Sequence, residues 1–460
     1  MLSRKQAEHY GLAQRDYLSR SALAELHGRR FDIMDVMRQA SRKHIAKLLP
    51  LKFKLMSGSP FVFFRGSVEI MAADLGGAKQ TRIEVQICGD AHVKNFGFYA
   101  TPGSEILLDV NDFDETMLGP WEWDVKRMAT SVILAGRVAG DGAALCKDAA
   151  RTFIREYCTW IRRFAGMPAL EVARHRTVRN YNDPVIRTAL KQAERSSPLS
   201  NLQKFTRKNA GGAYSFIKSD LIWNVQGEER KSVLQALPAY RATLAPEHQL
   251  LFDRFNAVDV GFKVVGTGSV GTRDYVVLFF GADEKDPLFL QVKEEPPSAY
   301  APYYKDRSAS KEQGQRVVRG QRALQVASDL LLGWSSIAGS DYLVRQLSDH
   351  KSSIEPEELK GKRLATYSRV CGELLAKGHA RSGTPAALAA YLGRSDKAER
   401  ALVQFAVHYA DQVEADHVAF RKALKHGFLD QAMKAAQGTT TRGRRAPARQ
   451  KKKGPGNLGP

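Results

Sequence analysis

Cysteine is scarce in this chain. The four residues Cys88, Cys146, Cys158 and Cys371 stand far apart, with no Cys-x-x-Cys pair, which argues against a structural zinc site and against a disulfide framework. Long apolar runs are missing too. No stretch approaches the roughly 18 consecutive apolar residues that a membrane span requires, so no membrane span is expected. The opening residues, MLSRKQAEHYGLAQRDYLSR, are polar and contain no secretory apolar region; a reduced, cytoplasmic setting is expected. Acid is absent from the other end, where GTTTRGRRAPARQKKKGPGNLGP (438–460) carries seven Lys and Arg and no Asp or Glu. Such a Gly/Pro-rich basic stretch cannot build a core, so 436–460 is expected to be a disordered basic tail in weak contact with nucleic acid or an anionic surface. No aromatic-rich basic strand of the RNA-reading kind accompanies it.

What is present suits a globular protein. The 460 residues allow two to three domain-sized units, and 43% hydrophobic with 26% charged residues is an ordinary balance. Lys and Arg number 70 against 49 Asp and Glu, for a net charge of +21; outside the tail the excess is +14, which suits anionic ligands without naming one. Helical spacing of apolar residues covers about 20–56, broken afterwards by SGSPFVFFRG. Short β-branched runs follow at 82–88 (RIEVQIC) and 105–113 (EILLDVNDF), then helical text from Asp124 to about Gly166 with a break near 140–142. After helical text around 228–256, DVGFKVVG, RDYVVLFFG and PLFLQVKEE read as an antiparallel meander. A helix is expected over 311–334, a strand over 341–347, and helices from 355 to about 435 with an interruption at GHARSGTP.

Four features carry chemistry. ICGDAHVKNFGFY (87–99) ends an apolar strand with Asp90 and, five positions on, Asn95. An aspartate so placed can orient a hydroxyl and take its proton, and the asparagine carbonyl can face a metal ion; a polar turn bonding its own backbone is the alternative. LLDVNDFDET (107–116) gathers Asp109, Asp112, Asp114 and Glu115 in a basic protein, where a hard cation such as magnesium would relieve their repulsion. Gly266, Gly268 and Gly271 form a G-x-G-x-x-G between two apolar runs, allowing backbone N–H groups to approach phosphate oxygens. The text after it is β-branched and aromatic, so a strand follows and not the helix of a dinucleotide fold. Lys293 alternates out of the third strand, either as a solvent-side charge or as a phosphate-pairing lysine. Together these are the parts of a phosphoryl-transfer site, which needs positioning and charge neutralisation more than covalent help.

CGDAHVKN, DVNDFDE and GPWEWDVKR resemble motifs of the aminoglycoside and choline phosphotransferases within the protein-kinase-like superfamily. The resemblance implies Asp90 as the catalytic aspartate, Asn95 and Asp112 as magnesium ligands, and Asp124 as a buried aspartate bracing the catalytic loop. Cys88 stands where that family usually has a structural histidine. The glycines and Lys293 follow Asp90, by roughly 180 positions at Gly271, whereas in kinases they precede it. The resemblance therefore implies a circularly permuted two-lobe α+β fold, with a small antiparallel-sheet lobe and a larger helical lobe. YSRVCGELLAKGHARSG would supply the helix that leads into the catalytic loop.

Across about 55–425, SPFVFFRG, CGDAHVKNFGFY, NDFDET, GPWEWDVKR, GQRVVRGQRALQ, YLVRQLSD and HARSG also resemble a bacterial family designated domain of unknown function 2252. The organisation expected is an N-terminal helical segment (1–56), a catalytic-loop part (57–235), a nucleotide-binding part with the glycine loop (236–350), a helical part completing the larger lobe (351–435) and the tail (436–460). The expected activity is ATP- and magnesium-dependent phosphorylation of a hydroxyl on a small molecule or, second to it, a protein, with Asp90 and Lys293 as catalytic residues. Adenylyl transfer on the same fold and a non-catalytic nucleotide- or nucleic-acid-binding protein are the alternatives. Arg65, His92 and Arg381 are candidate substrate or phosphate contacts, each with a structural role as the competing reading, and His379 stands with Arg381. The carboxylate that pairs with Lys293 stays open among Glu294, Glu295 and Glu312.

Overall fold

Residues rich in Val, Phe, Tyr and Leu between 256 and 294 form three antiparallel strands, Asn256–Lys263, Asp274–Phe280 and Pro287–Glu294. They are the centre of a six-stranded antiparallel sheet in the computed structural model, which describes residues 2–177, 183–219, 222–264, 270–307, 310–347 and 352–442. The order across this sheet is Gly333–Ile337, Ser340–Gln346, Pro287–Glu294, Asp274–Phe280, Asn256–Lys263 and Ile222–Asn224. A helix, Gln313–Leu324, links the third strand to the first and packs on this edge. One face of the sheet packs with Val233, Tyr240 and Phe252 from the short helices before it. Part of the other face packs with Leu202 and Phe216.

The remainder is mostly helical, so the whole is α+β. Trp121–Val138, Ala143–Gly166, Lys362–Ser382 and Lys397–Lys425 pack against one another. Their core is continuous with the N-terminal segment: Leu18, Leu49 and Phe53 belong to the same cluster as Val132, Phe153, Leu374, Tyr409 and Phe428. Two short sheets lie in this part, one pairing Glu84–Ile87 with Met117–Pro120 and one ordering Ser352–Ser353, Phe96–Ala100 and Ile106–Val110. No helix among the described residues is long and apolar enough to cross a membrane.

Four local expectations are refined or corrected. SGSPFVFFRG does break the preceding helix, which ends at Met56, but it also starts the helix Pro60–Gly66, with Pro60 in its first turn and the Ser59 hydroxyl accepting from Val62 N; Ser and Pro are start signals as much as stop signals. The helix expected over 311–334 ends at Leu324, and Gly333 and Trp334 begin the edge strand. The continuous helical text of 20–56 is broken into Ile33–Ser41, capped by Asp32, and Leu49–Met56, with single 3-10 turns before each. At the other end, the helix Phe428–Arg442 carries regular structure into the segment expected as a disordered tail and packs on Ile33–Ser41. Residues 443–460 lie outside the described residues.

Candidate functional site

The strand Glu84–Ile87 delivers Cys88, Gly89 and Asp90 to the protein's interior. Asp124, in the first turn of Trp121–Val138, accepts from Cys88 N at 2.8 Å and from Gly89 N at 2.9 Å. Its carboxylate also lies 3.2 Å from His379 Nε2, while His379 Nδ1 meets the Tyr157 hydroxyl at 2.7 Å. A buried carboxylate satisfied by two backbone donors fixes the loop as rigidly as a strand pairing would. Gly89 is required at the bend. Its φ is +80°, and a Cβ there would stand 2.3 Å from Glu115 O.

Asp90 projects from this anchored loop. Three positions after Asp124 on the same helix, Arg127 donates to Asp90 Oδ1 from Nε at 2.6 Å, and its Nη2 lies 2.5 Å from the same oxygen in the ion pair. Arg127 is fully buried, donates to Phe64 O at 3.0 Å and stacks on the Phe64 ring. Burial pushes the Asp90 carboxyl up, against the pull of Arg127 and Arg65. Asp90 Oδ2 lies 3.5 Å from His92 Nε2, which also accepts from Arg65 Nε at 3.3 Å. Burial and the two arginines keep His92 neutral by pushing its pKa well down. Asn95 closes a single 3-10 turn, and its Nδ2 donates to Asp90 O at 2.8 Å.

The strand Ile106–Val110 brings the acidic run to the same place. Lys293, buried on the third strand of the large sheet, forms an ion pair with Asp114. This pair crosses between the two halves of the molecule and answers which carboxylate holds the lysine. Glu312 instead accepts from the Trp334 indole at 2.8 Å, Glu294 pairs with Arg273 at 3.2 Å, and both oxygens of Glu295 are buried without a hydrogen-bond partner. Against burial, Lys293 draws the Asp114 carboxyl down, whereas burial and the neighbouring Asp114 push Asp112 up. Glu115 accepts from Ala299 N at 2.6 Å and is pushed up to about 7 by burial and by Glu69.

Arg65, Asp90, Asp112, Asp114 and Glu115 line one cavity of about 70 Å³ together with Lys43, His44, Lys52, Glu69 and Thr272. It adjoins a wider opening of about 1150 Å³, with Lys43, His44, Thr272 and Glu294 common to both. Asp90, Asp112 and Arg65 thus come together as expected. Lys293 reaches the cavity through Asp114, and Asn95 and His92 stand one layer behind it, bonded to Asp90 and Arg65. Gly271 has φ +111° and precedes Thr272 in the wall; Gly266 and Gly268 lie outside the described residues. Arg381 is not in this cavity. Its guanidinium bonds the backbone oxygens of Ala323 and Ala173, a structural role. Sequence reasoning missed Arg127, whose spacing of three from Asp124 on a helix was a usable signal. It also missed Lys52, His44 and Glu69, for which only the packing of the N-terminal segment brings a signal.

The fold and site define an α+β protein with a helical body, an antiparallel sheet carrying a buried lysine, and a carboxylate-rich cavity between them. The chain belongs to a family described as uncharacterized protein conserved in bacteria (DUF2252), whose model matches residues 42–423. No curated protein and no solved structure matches the chain.

Proposed function

We propose that the protein is an ATP- and magnesium-dependent phosphotransferase with a circularly permuted kinase-like fold, acting on a hydroxyl of a small molecule. The observation that carries this reading is the Lys293–Asp114 ion pair, which ties the large sheet to the acidic loop that lines one cavity with Asp90. The order of parts along the sheet supports it. A glycine-containing segment stands in sequence between the first two strands of the meander, the lysine is on the third, and a helix follows, the sequence in which kinases place the phosphate-covering loop, the phosphate lysine and the next helix. That helix offers Lys293 no glutamate here; Asp114 holds the lysine instead.

The permutation has support from the late helix Lys362–Ser382. Its C-terminal end meets the strand leading to Asp90, with Gln86 N donating to Ser382 Oγ at 3.0 Å and His379 on Asp124. A chain read from this helix into Glu84–Ile87 would run in the kinase order.

Asp112 in the cavity would offer magnesium a carboxylate and Asn95, bonded to the Asp90 backbone behind it, an amide oxygen, and the upward push on Asp112 is what a bound cation would reverse. Among the described residues no three His, Cys, Asp or Glu form a ready metal cluster; magnesium at phosphoryl-transfer sites uses one or two carboxylates with waters and substrate phosphates. When bound it supplies charge neutralisation at the phosphates. In the chain itself, Arg127 occupies Asp90 Oδ1 and leaves Oδ2 for the acceptor. The acceptor oxygen bonds to the γ-phosphorus of ATP, the bond from that phosphorus to the bridging oxygen breaks, ADP leaves, and Asp90 takes the hydroxyl proton. Lys293, freed from Asp114, pairs with the donor's phosphates.

ATP turnover is the test. Asp90→Ala and Asp112→Ala should abolish it while the fold survives, and unchanged turnover in both refutes the reading. ATP labelled at the α- or γ-phosphate separates adenylyl from phosphoryl transfer.

A further inference from the structure

The N-terminal segment contributes to the cavity although no part of the kinase-like reading calls for it. Ile45 N donates to Gly271 O at 2.6 Å, and a Cβ on Gly271 would stand 2.7 Å from the His44 ring. The segment is therefore seated against the end of the glycine turn. On the helix that follows, Lys52 is 5% exposed, and its Nζ lies 3.2 Å from His44 Nε2. A lysine ammonium has donors only, so Nε2 accepts and the ring proton of neutral His44 sits on Nδ1. Burial, Lys52 and Lys43 all hold His44 neutral. Its Nδ1 is buried and makes no hydrogen bond, a state rare for a buried polar atom and one that a ligand oxygen would relieve. Both residues line the same cavity as Asp90 and Thr272.

We propose that His44 and Lys52 form a clamp for the phosphate oxygens of the phosphoryl donor at the end of the glycine turn. The pair presents a neutral N–H donor beside a buried cation, a combination suited to an oxyanion. The cavity's six carboxylates, Glu69, Asp90, Asp112, Asp114, Glu115 and Glu294, would repel a bare anion, so the ligand that fits is a phosphate accompanied by a divalent cation. The clamp deepens the phosphotransferase reading and rests on it for the identity of the donor; the binding of phosphate itself can be measured without turnover.

The test is a calorimetric titration of inorganic phosphate into the full chain, with and without magnesium chloride. The wild type should bind phosphate, more tightly with magnesium. His44→Leu and Lys52→Met should bind about tenfold more weakly, the scale of one lost hydrogen bond to a charged group. His44→Asn, which restores an N–H near the place of Nδ1, should recover most of the affinity. If Lys52→Met fails to fold, the contrast between His44→Leu and His44→Asn decides. No phosphate binding by the wild type in either condition overturns the clamp, as does wild-type affinity in His44→Leu. If phosphate binding follows the pattern but no ATP is consumed, the clamp stands and the phosphotransferase reading falls. If ATP is consumed and His44→Leu binds phosphate normally, the clamp alone falls.

Discussion

Glu115 should make the protein less stable as the pH rises toward neutrality. Its carboxyl is buried beside Glu69 and is pushed from 4.5 up to about 7. In the unfolded chain it releases its proton at the ordinary value, so between these two pH values the folded state holds a proton that the unfolded state has given up. Stability from this group is fully present below the unfolded value and is lost as pH rises through the folded one. At about 1.4 kcal/mol per pH unit, the shift corresponds to about 3 kcal/mol. Glu115→Gln removes the titration and keeps an oxygen able to accept from Ala299 N, the contact that measures 2.6 Å in the native chain. The variant should match the wild type below the unfolded value and exceed it by up to about 3 kcal/mol above the folded one. Urea unfolding at about pH 4 and about pH 8 with chelator present reads both limits. A variant no more stable than the wild type at the higher pH, or more stable by the same amount at both, refutes the reasoning.

Three further outcomes are expected. Asp124→Asn offers one carbonyl oxygen where two backbone N–H groups now find carboxylate oxygens; unfolding free energy should fall by about 2–3 kcal/mol in urea, and an unchanged midpoint would show the loop to be held otherwise. Lys377→Met strands Asp109, its partner in an ion pair with both side chains 2% exposed, and should cost about 3–5 kcal/mol, most of it regained when Asp109→Asn is added. Magnesium-ATP should raise the melting temperature of the wild type but not of Lys293→Ala, and an equal rise in both would separate the lysine from the nucleotide site.

Period and local chemistry made part of this structure legible. The three central strands are β-branched and aromatic runs bounded by turn residues, so their meander was readable, and the apolar stretches before Asp90 and Asp112 marked the two loops that meet. Misreadings arose where one residue type carries two meanings. Ser59 and Pro60 stop one helix and start another, and the apolar text 324–334 fits a helix interior as well as a buried strand. The parts of the site that escaped are those assembled by distant packing. Lys52 looks like any lysine on an amphipathic helix until Gly271 is seen against His44. The choice of Asp114 over Glu294, Glu295 or Glu312 for Lys293 depends on how sheet and body dock, which no local pattern encodes.

The contact between Asp124 and His379 has a consequence for how the protein is made. The two are separated by 255 positions, so at ordinary synthesis rates the histidine emerges roughly 10–50 s after the aspartate. Through that interval the strand Glu84–Ile87 lacks the late helix that packs on it, and the sheet encoded between can fold first. The loop bearing Asp90 would then be among the last regions to become rigid, and a ribosome stalled before the late helix would release a chain with a folded sheet and an unfinished centre.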